Sequence, residues 1–346
     1  MRNLQRMLTG AATAALMTAA LPAADALADD MYIEDLGALG GEFVGMDPGQ
    51  IEFMPLEAVG VIERVDLIPG RDLNGRELNR PLIDGAQLQS VALPGATHPQ
   101  LDLLEVYLAG SGLRGVSTQG PVDEVELVGA LLDGELEDGT AATIRVDSFS
   151  MTGDVNAGDI YLYEVSYITR DMEDFEYLCG VDETDYPIQA IALEGEWNLG
   201  EGVRGGGDWI ENPDVFTFAC RRYALAKCVE AGYGPWGMVE YWEDGDLVAE
   251  PLRPLHQACT RMMRADYCGD GTPHTVDGTP INFYDDVGIR TDLLPWQFEA
   301  EWDEDGAICA DTGRVARVPG GCADGRELRA CGSFERGALL LSEVDR

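Results

Sequence analysis

From Tyr32 to Thr169 the chain alternates short apolar runs with turn residues. The runs at 58–68, 87–93, 101–108, 124–132, 140–149 and 159–168 are of strand length. Asn74-Gly75, Asp84-Gly85, Asp133-Gly134, Asp138-Gly139 and the Gly153/Gly158 neighbourhood punctuate them. Short runs bounded by Asx-Gly pairs, which tolerate positive φ, predict an antiparallel sandwich or barrel-like sheet. Gly110-Ser111-Gly112 belongs to the same set of turns, since neither a phosphate-binding G-x-x-x-x-G-K-[ST] nor a strand-flanked G-x-G-x-x-G is present.

The pattern changes in the second half. After the charged stretch 170–176 come Cys179, a strand candidate at 188–197 and a loop at Gly205-Gly206-Gly207. From Pro213 the period becomes helical: Phe218, Leu225, Val229 and Gly232 share one face, while Arg221, Arg222, Lys227 and Glu230 lie off it. Asn212 or Asp214 would cap this first helix and Gly232 or Gly234 would end it. A second helix is expected over 254–266, with Leu255, Cys259 and Met262 facing inward and Arg261 and Arg264 pointing away. Gly269 would stop it in a left-handed conformation. The expected class is α+β: a β-rich region at 29–170, then a disulfide-stapled α+β domain with two short helices at 171–346.

The amino terminus sets the compartment. Arg2 and Arg6 precede an apolar run at 7–21, and Ala26-Leu27-Ala28 supplies a small-x-small cleavage pattern before Asp29-Asp30. Residues 1–28 therefore read as a secretory signal peptide, with neither a lipoprotein cysteine nor a twin arginine. No later apolar run reaches the roughly 20 residues of a membrane span, so no integral membrane segment is expected after cleavage. The expected location is periplasmic or extracellular.

Charge narrows the partners. With 63 acidic and 23 basic residues the formal net charge is −40. That field repels nucleic acid and anionic lipid, and leaves cations and glycans as candidates.

Eight cysteines, Cys179, Cys220, Cys228, Cys259, Cys268, Cys309, Cys322 and Cys331, all lie in the second half. An even count in an exported chain predicts disulfides, and the absence of any C-x-x-C pair argues against structural zinc. Cysteines eight and nine residues apart along the two expected helices suggest Cys220–Cys268 and Cys228–Cys259 staples, with Cys322–Cys331 as a local loop.

The densest stretch runs from Cys259 to Asp286. Its Arg264-Ala265-Asp266-Tyr267-Cys268-Gly269-Asp270-Gly271 resembles the bacterial family named for an Ala-Asp-Tyr-Cys motif, the ADYC domain. Phe216-Thr217-Phe218-Ala219-Cys220, Gly232-Tyr233-Gly234-Pro235-Trp236, His256-Gln257-Ala258-Cys259, His274-Thr275 and Phe298-Glu299-Ala300-Glu301-Trp302 resemble family segments in family order. The likeness covers about Cys179 to Cys331. It implies an exported bacterial protein with a Cys-rich domain and carries over no catalytic residue.

Asp270-Gly271-Thr272-Pro273 is echoed seven residues later by Asp277-Gly278-Thr279-Pro280. The echo predicts two successive Asx turns. The other reading is a calcium site built from Asp266, Asp270, Asp277, Asp285 and Asp286, although the EF-hand order is absent. No other cofactor is expected. His274, between the turns, is the one candidate general base, oriented by Asp270 or Asp277. No nucleophile elbow accompanies it, and His256 reads as structural. Trp197, Trp209, Trp236, Trp242, Trp296 and Trp302 among many carboxylates would suit a glycan cleft or a glycosidase, or simply buried cores beside disulfides. The leading expectation is a non-enzymatic envelope or extracellular binding or structural module. The alternative is a secreted hydrolase, on glycans, using His274 with Asp270 or Asp277.

Overall fold

The computed structural model describes residues 75–345 except 80–81, 84–85, 155–157, 244–245, 293–294, 315–318 and 332–337. These lie within one compact unit, Pro55–Arg346. The signal peptide at 1–28, the run at 58–68, Asn74 and Asp84-Gly85 fall outside the described residues.

The first strands are β1 (Leu82–Ile83) and β2 (Ala86–Ala92), followed by a meander of β3 (Leu103–Ala109), β4 (Gly112–Ser117) and β5 (Gly120–Val122). Next come β6 (Leu131–Leu136), β7 (Ala141–Asp154), β8 (Gly158–Thr169), β9 (Glu176–Tyr177) and β10 (Ala190–Glu194). The short β11 (Glu196–Trp197) and β12 (Trp209–Ile210) pair with each other and precede β13 (Val215–Cys220). Antiparallel pairing in the order β2-β13-β10-β8-β7-β6, with β6 returning to β2, closes these strands into a barrel. Closure removes the exposed edges that an open sheet would present.

Alternation along β6 sends Leu132 and Leu136 inward and Asp133 and Glu135 outward. Gly134 lies mid-strand, where the sequence suggested a turn. A Cβ there would sit 3.1 Å from side-chain atoms of Leu88 and Ile144, so the glycine serves close packing inside the barrel. Asp138-Gly139 does form its hairpin turn, with the Asp138 carboxylate accepting the Thr140 amide at 2.9 Å. The run at 124–132 is largely a turn, tied by the Asp123 carboxylate to the amides of Val125 and Glu126, and strand begins only at Leu131.

β10 and β13 are buried on both faces. Ala190, Ala192, Phe216 and Phe218 fill the barrel, while Ile191, Leu193 and Ala219 join a second core outside it. A strand without polar alternation cannot be told from a buried helix by period. The helix expected from Pro213 is therefore β13 followed by a shorter helix, α1 (Ala224–Glu230), whose N-cap is Tyr223 and not Asn212 or Asp214. Its end is the anticipated one: Gly232 takes φ 101°, and Tyr233 N donates to Cys228 O at 3.1 Å.

Beyond α1 lie the hairpin β14 (Met238–Glu243) and β15 (Asp246–Pro251), then α2 (Arg253–Arg264). A second antiparallel sheet follows, in the order β16 (Ile281–Tyr284), β19 (Leu340–Val344), β17 (Gln297–Asp303), β18 (Gly306–Ala310). α2 lies against α1 and against β17, β18 and β19. The architecture is α+β and β-rich. The barrel draws β10 and β13 from beyond residue 170, so that position falls inside the connectivity of one sheet.

All eight cysteines are paired: Cys179–Cys220, Cys228–Cys259, Cys268–Cys322 and Cys309–Cys331. The Cys228–Cys259 staple between the helices is as expected. Cys220–Cys268 and Cys322–Cys331 are corrected, because Cys220 sits on a barrel strand facing the segment after β9, and Cys268 lies past the end of α2.

Behind the helical staple, His256 is fully buried, with Nε2 3.1 Å from Leu225 O. A carbonyl only accepts, so Nε2 carries the proton, and burial holds the imidazole down at about pKa 4. The unfolded ring titrates near 6.5, so this group's stabilisation is complete above about pH 6.5 and lost as pH falls towards 4, by at most ~3 kcal/mol. His256→Gln retains a donor and does not titrate. The stability gap between wild type and variant, from urea midpoints at pH 7 and pH 4.5, is expected to narrow or reverse at the lower pH.

Candidate functional site

The Ala265-Asp266-Tyr267-Cys268 turn ends α2, and each of its residues has a different task. Ala265 is the left-handed residue (φ 52°, ψ 42°), stopping the helix before Gly269 is reached. Its amide donates to Met262 O at 3.0 Å and that of Asp266 to Arg261 O at 2.9 Å, satisfying the last helical carbonyls. Gly269 also has positive φ, but its role is close approach: a Cβ there would lie 1.9 Å from Asp305 O.

Asp266 is fully buried and holds Arg261 Nη1 at 2.6 Å, while accepting the amides of Asp270 at 3.1 Å and Gly271 at 2.9 Å. Arg261 and Arg264, expected to point away, are 1% and 4% exposed. Arg261 donates to Gly206 O, the Asp208 carboxylate and Glu304 O, and Arg264 donates to Arg76 O at 2.7 Å and Gly271 O at 2.6 Å. The Gly-rich loop and the Asp-Gly turn fold over this face of α2 and use the guanidinium donors to satisfy their own carbonyls.

Tyr267 donates its hydroxyl to Glu299 Oε1 at 2.7 Å and stacks on Trp302 at 5.2 Å between centroids. Burial pushes that hydroxyl far above the ordinary tyrosine range. Glu299 and Arg314 form a completely buried ion pair at 2.8 Å; Ser342 Oγ donates to Glu299 at 2.7 Å, and Trp302 Nε1 to Ser342 at 2.8 Å. Arg314 also donates to Met262 O and Met263 O at the end of α2. Cys268 closes the turn through its bridge to Cys322. The sequence reading missed this network. Its one advance signal was a pair of arginines in the last turn of a helix, with Asp266 two residues beyond the second.

The candidate catalytic group is dispersed. His274 Nδ1 lies 3.2 Å from Ala265 O, its ring is 5.7 Å from Tyr267, and its amide donates to Arg264 O. Asp270 makes its Asx turn, accepting Thr272 N at 3.0 Å. Asp277 accepts Arg76 N at 2.8 Å, from the far end of the described chain, while the second echo turns through a backbone bond from Thr279 to Val276. The two near-copies thus fold by different means. Neither carboxylate is hydrogen-bonded to the imidazole among the described residues.

The cation candidates are also apart. Asp285 accepts the amides of Val287, Gly288, Ile289 and Arg290 and the Tyr233 hydroxyl at 2.7–3.0 Å, so its oxygens anchor a loop. Asp286 is exposed. Among the described residues the one three-donor cluster is Glu301 with Cys309 and Cys331, whose two sulfurs are bonded to each other.

Of the tryptophans, Trp197 and Trp302 are buried and Trp242 is 74% exposed on the β14–β15 hairpin. Trp209 borders an open groove of about 740 Å³, with Asn198, Arg204, Asp208, Asp305, Asp324 and Arg326. Partial burial raises the Asp208 carboxyl, opposed by the Arg261 charge. Trp236 borders a cleft between β3 and the barrel rim.

A closed antiparallel barrel, covered by two disulfide-stapled helices and a four-stranded sheet, with a buried Ala-Asp-Tyr-Cys corner, defines a stapled α+β class of chain. This protein belongs to the ADYC domain family, whose model matches residues 124–316, more than half of the 346-residue sequence. The match starts in the turn before β6, so the family region takes in barrel strands as well as the Cys-rich part. No curated protein and no solved structure matches the chain.

Proposed function

We propose that this protein is an exported bacterial component of the envelope or extracellular space, and that it binds or scaffolds without catalysing a reaction. The observation that carries the reading is the fate of His274: its ring nitrogen is engaged with a main-chain carbonyl, and Asp270 and Asp277 are each spent on backbone amides. General acid–base catalysis requires a base, an orienting partner and a reacting group at hydrogen-bonding reach of one another. Export is supported by four disulfides together with the leader-like amino terminus. No described helix is long and apolar enough to cross a membrane.

The test uses protein recovered from the exported fraction, with its amino terminus mapped to Asp29. Incubated with a panel of polysaccharides, it is expected to release no reducing ends. His274→Asn, which keeps a donor for Ala265 O, should change stability by less than about 1 kcal/mol. Turnover by wild type that disappears in His274→Asn would establish the hydrolase instead.

A further inference from the structure

β3 is the outer strand of its three-stranded sheet, paired with β4 on one side only. The turn at Gly110-Ser111 and the register Ala109↔Gly112, Tyr107↔Arg114 set which backbone groups are used. In antiparallel pairing hydrogen-bonded and non-hydrogen-bonded positions alternate, so the amides and carbonyls of Val106 and Leu108 point away from β4. Neither residue has another backbone partner among the described residues.

These groups face a cleft. Five successive residues, Leu103 to Tyr107, line a cavity of about 340 Å³, with Leu93 to Ala96, Pro213 and Asp214 opposite. Successive residues line a space together when it lies along a strand's edge; a space above a sheet face would meet alternate ones. A second cavity, of about 190 Å³, shares Leu93, Tyr107 and Pro213 and is closed by Gly110, Pro235, Trp236, Glu194 and Arg253. There the Arg253 guanidinium lies 3.7 Å over the Trp209 ring and bonds Glu194 through Nη2 at 3.0 Å.

The geometry points to this cleft as a strand-addition site for an extended, cationic peptide. This rests on the non-catalytic binding reading above and gives it a site. The open edge supplies backbone pairing at Val106 and Leu108. Tyr107, Trp236 and the two prolines form the apolar wall. The sign of the partner follows from the carboxylates: Glu105, Asp214 and Glu194 line the two cavities, against the single cation Arg253, which Glu194 already pairs. At ~3.3 Å per residue, the length of β3 accommodates five to seven partner residues, roughly.

The probe is a blocked heptapeptide of alternating lysine and valine, titrated into the mature chain by calorimetry. Two further peptides replace lysine by glutamate, or carry N-methyl groups on alternate amides. The lysine peptide is expected to bind saturably, and the glutamate and N-methyl peptides at least about 10-fold more weakly. Glu105→Lys with Asp214→Lys should weaken the lysine peptide by a similar factor at an unchanged melting temperature. Equal binding of the N-methyl peptide would reduce the effect to attraction by an acidic surface and overturn the site, as would no binding or indifference to the charge reversal. Mass spectrometry of the recovered peptide separates the two readings: cleavage refutes the non-catalytic one, whereas an intact, unbound peptide refutes only the cleft.

Discussion

Replacing Arg314 with methionine lowers the free energy of unfolding by about 3–5 kcal/mol, read as a fall in the urea midpoint at constant slope. The magnitude comes from what is left behind. Glu299 is completely buried and loses its counter-charge, and the carbonyls of Met262 and Met263 at the end of α2 lose the guanidinium donors. Removing one partner of a buried pair costs far more than the pair is worth against apolar residues of the same shape. Hence Arg314→Met combined with Glu299→Gln should recover part of the loss: Gln is neutral and its carbonyl still accepts from Tyr267 or Ser342. A single-variant loss below about 1 kcal/mol would mean that water reaches Glu299.

The second large effect belongs to the Asp of the family motif. Asp266→Ala is expected to cost about 3–5 kcal/mol, because the one carboxylate then left to Arg261 is Asp208, whose side chain is 47% exposed. The amides of Asp270 and Gly271 lose their acceptor in the same step. Hydrogen exchange at Gly271 should therefore accelerate more than at α1, which makes no use of Asp266. Asp266→Asn keeps an acceptor for one amide and should fall between wild type and Asp266→Ala. Uniform acceleration throughout the chain would argue that Asp266 acts on global stability alone.

These two variants explain what the stretch from Cys259 to Asp286 does. In sequence it resembles a crowded site, with carboxylates, a histidine and cysteines close together. In the fold its charges are mostly consumed: Asp266 by Arg261, Asp270 by its own turn, Asp277 by Arg76 and Asp285 by a ring of amides. The corner ends one helix, fixes a disulfide and holds two buried arginines. The strand-addition site proposed above lies elsewhere, on the β3 edge.

Much of this was legible locally. Strand-length runs at 87–93, 140–149 and 159–168 correspond to β2, β7 and β8, because two-residue periodicity and Asx-Gly turns act within a few residues. The span of α2 and the Gly232 stop of α1 follow from the same short-range rules. The departures from the expected elements share one cause. The helical period expected from Pro213 gives way to strand at β13 because helices cover its outer face and the barrel its inner one, so no polar alternation survives. Arg261 and Arg264 are buried and not in solvent because a glycine-rich loop more than 50 residues away covers them, and nothing within a helical turn signals it.

The sequence by itself therefore determined the α+β class, the positions of most turns, the even pairing of eight cysteines and the strongly acidic charge balance. Each depends on composition or on neighbours a few residues apart. Only the tertiary structure decided that the strands close into a barrel, which cysteines meet, and that Glu299 and Arg314 are buried together. Those outcomes depend on which distant surface comes to lie over each residue. Burial converts an ordinary charge into an ion pair that the fold cannot lose cheaply.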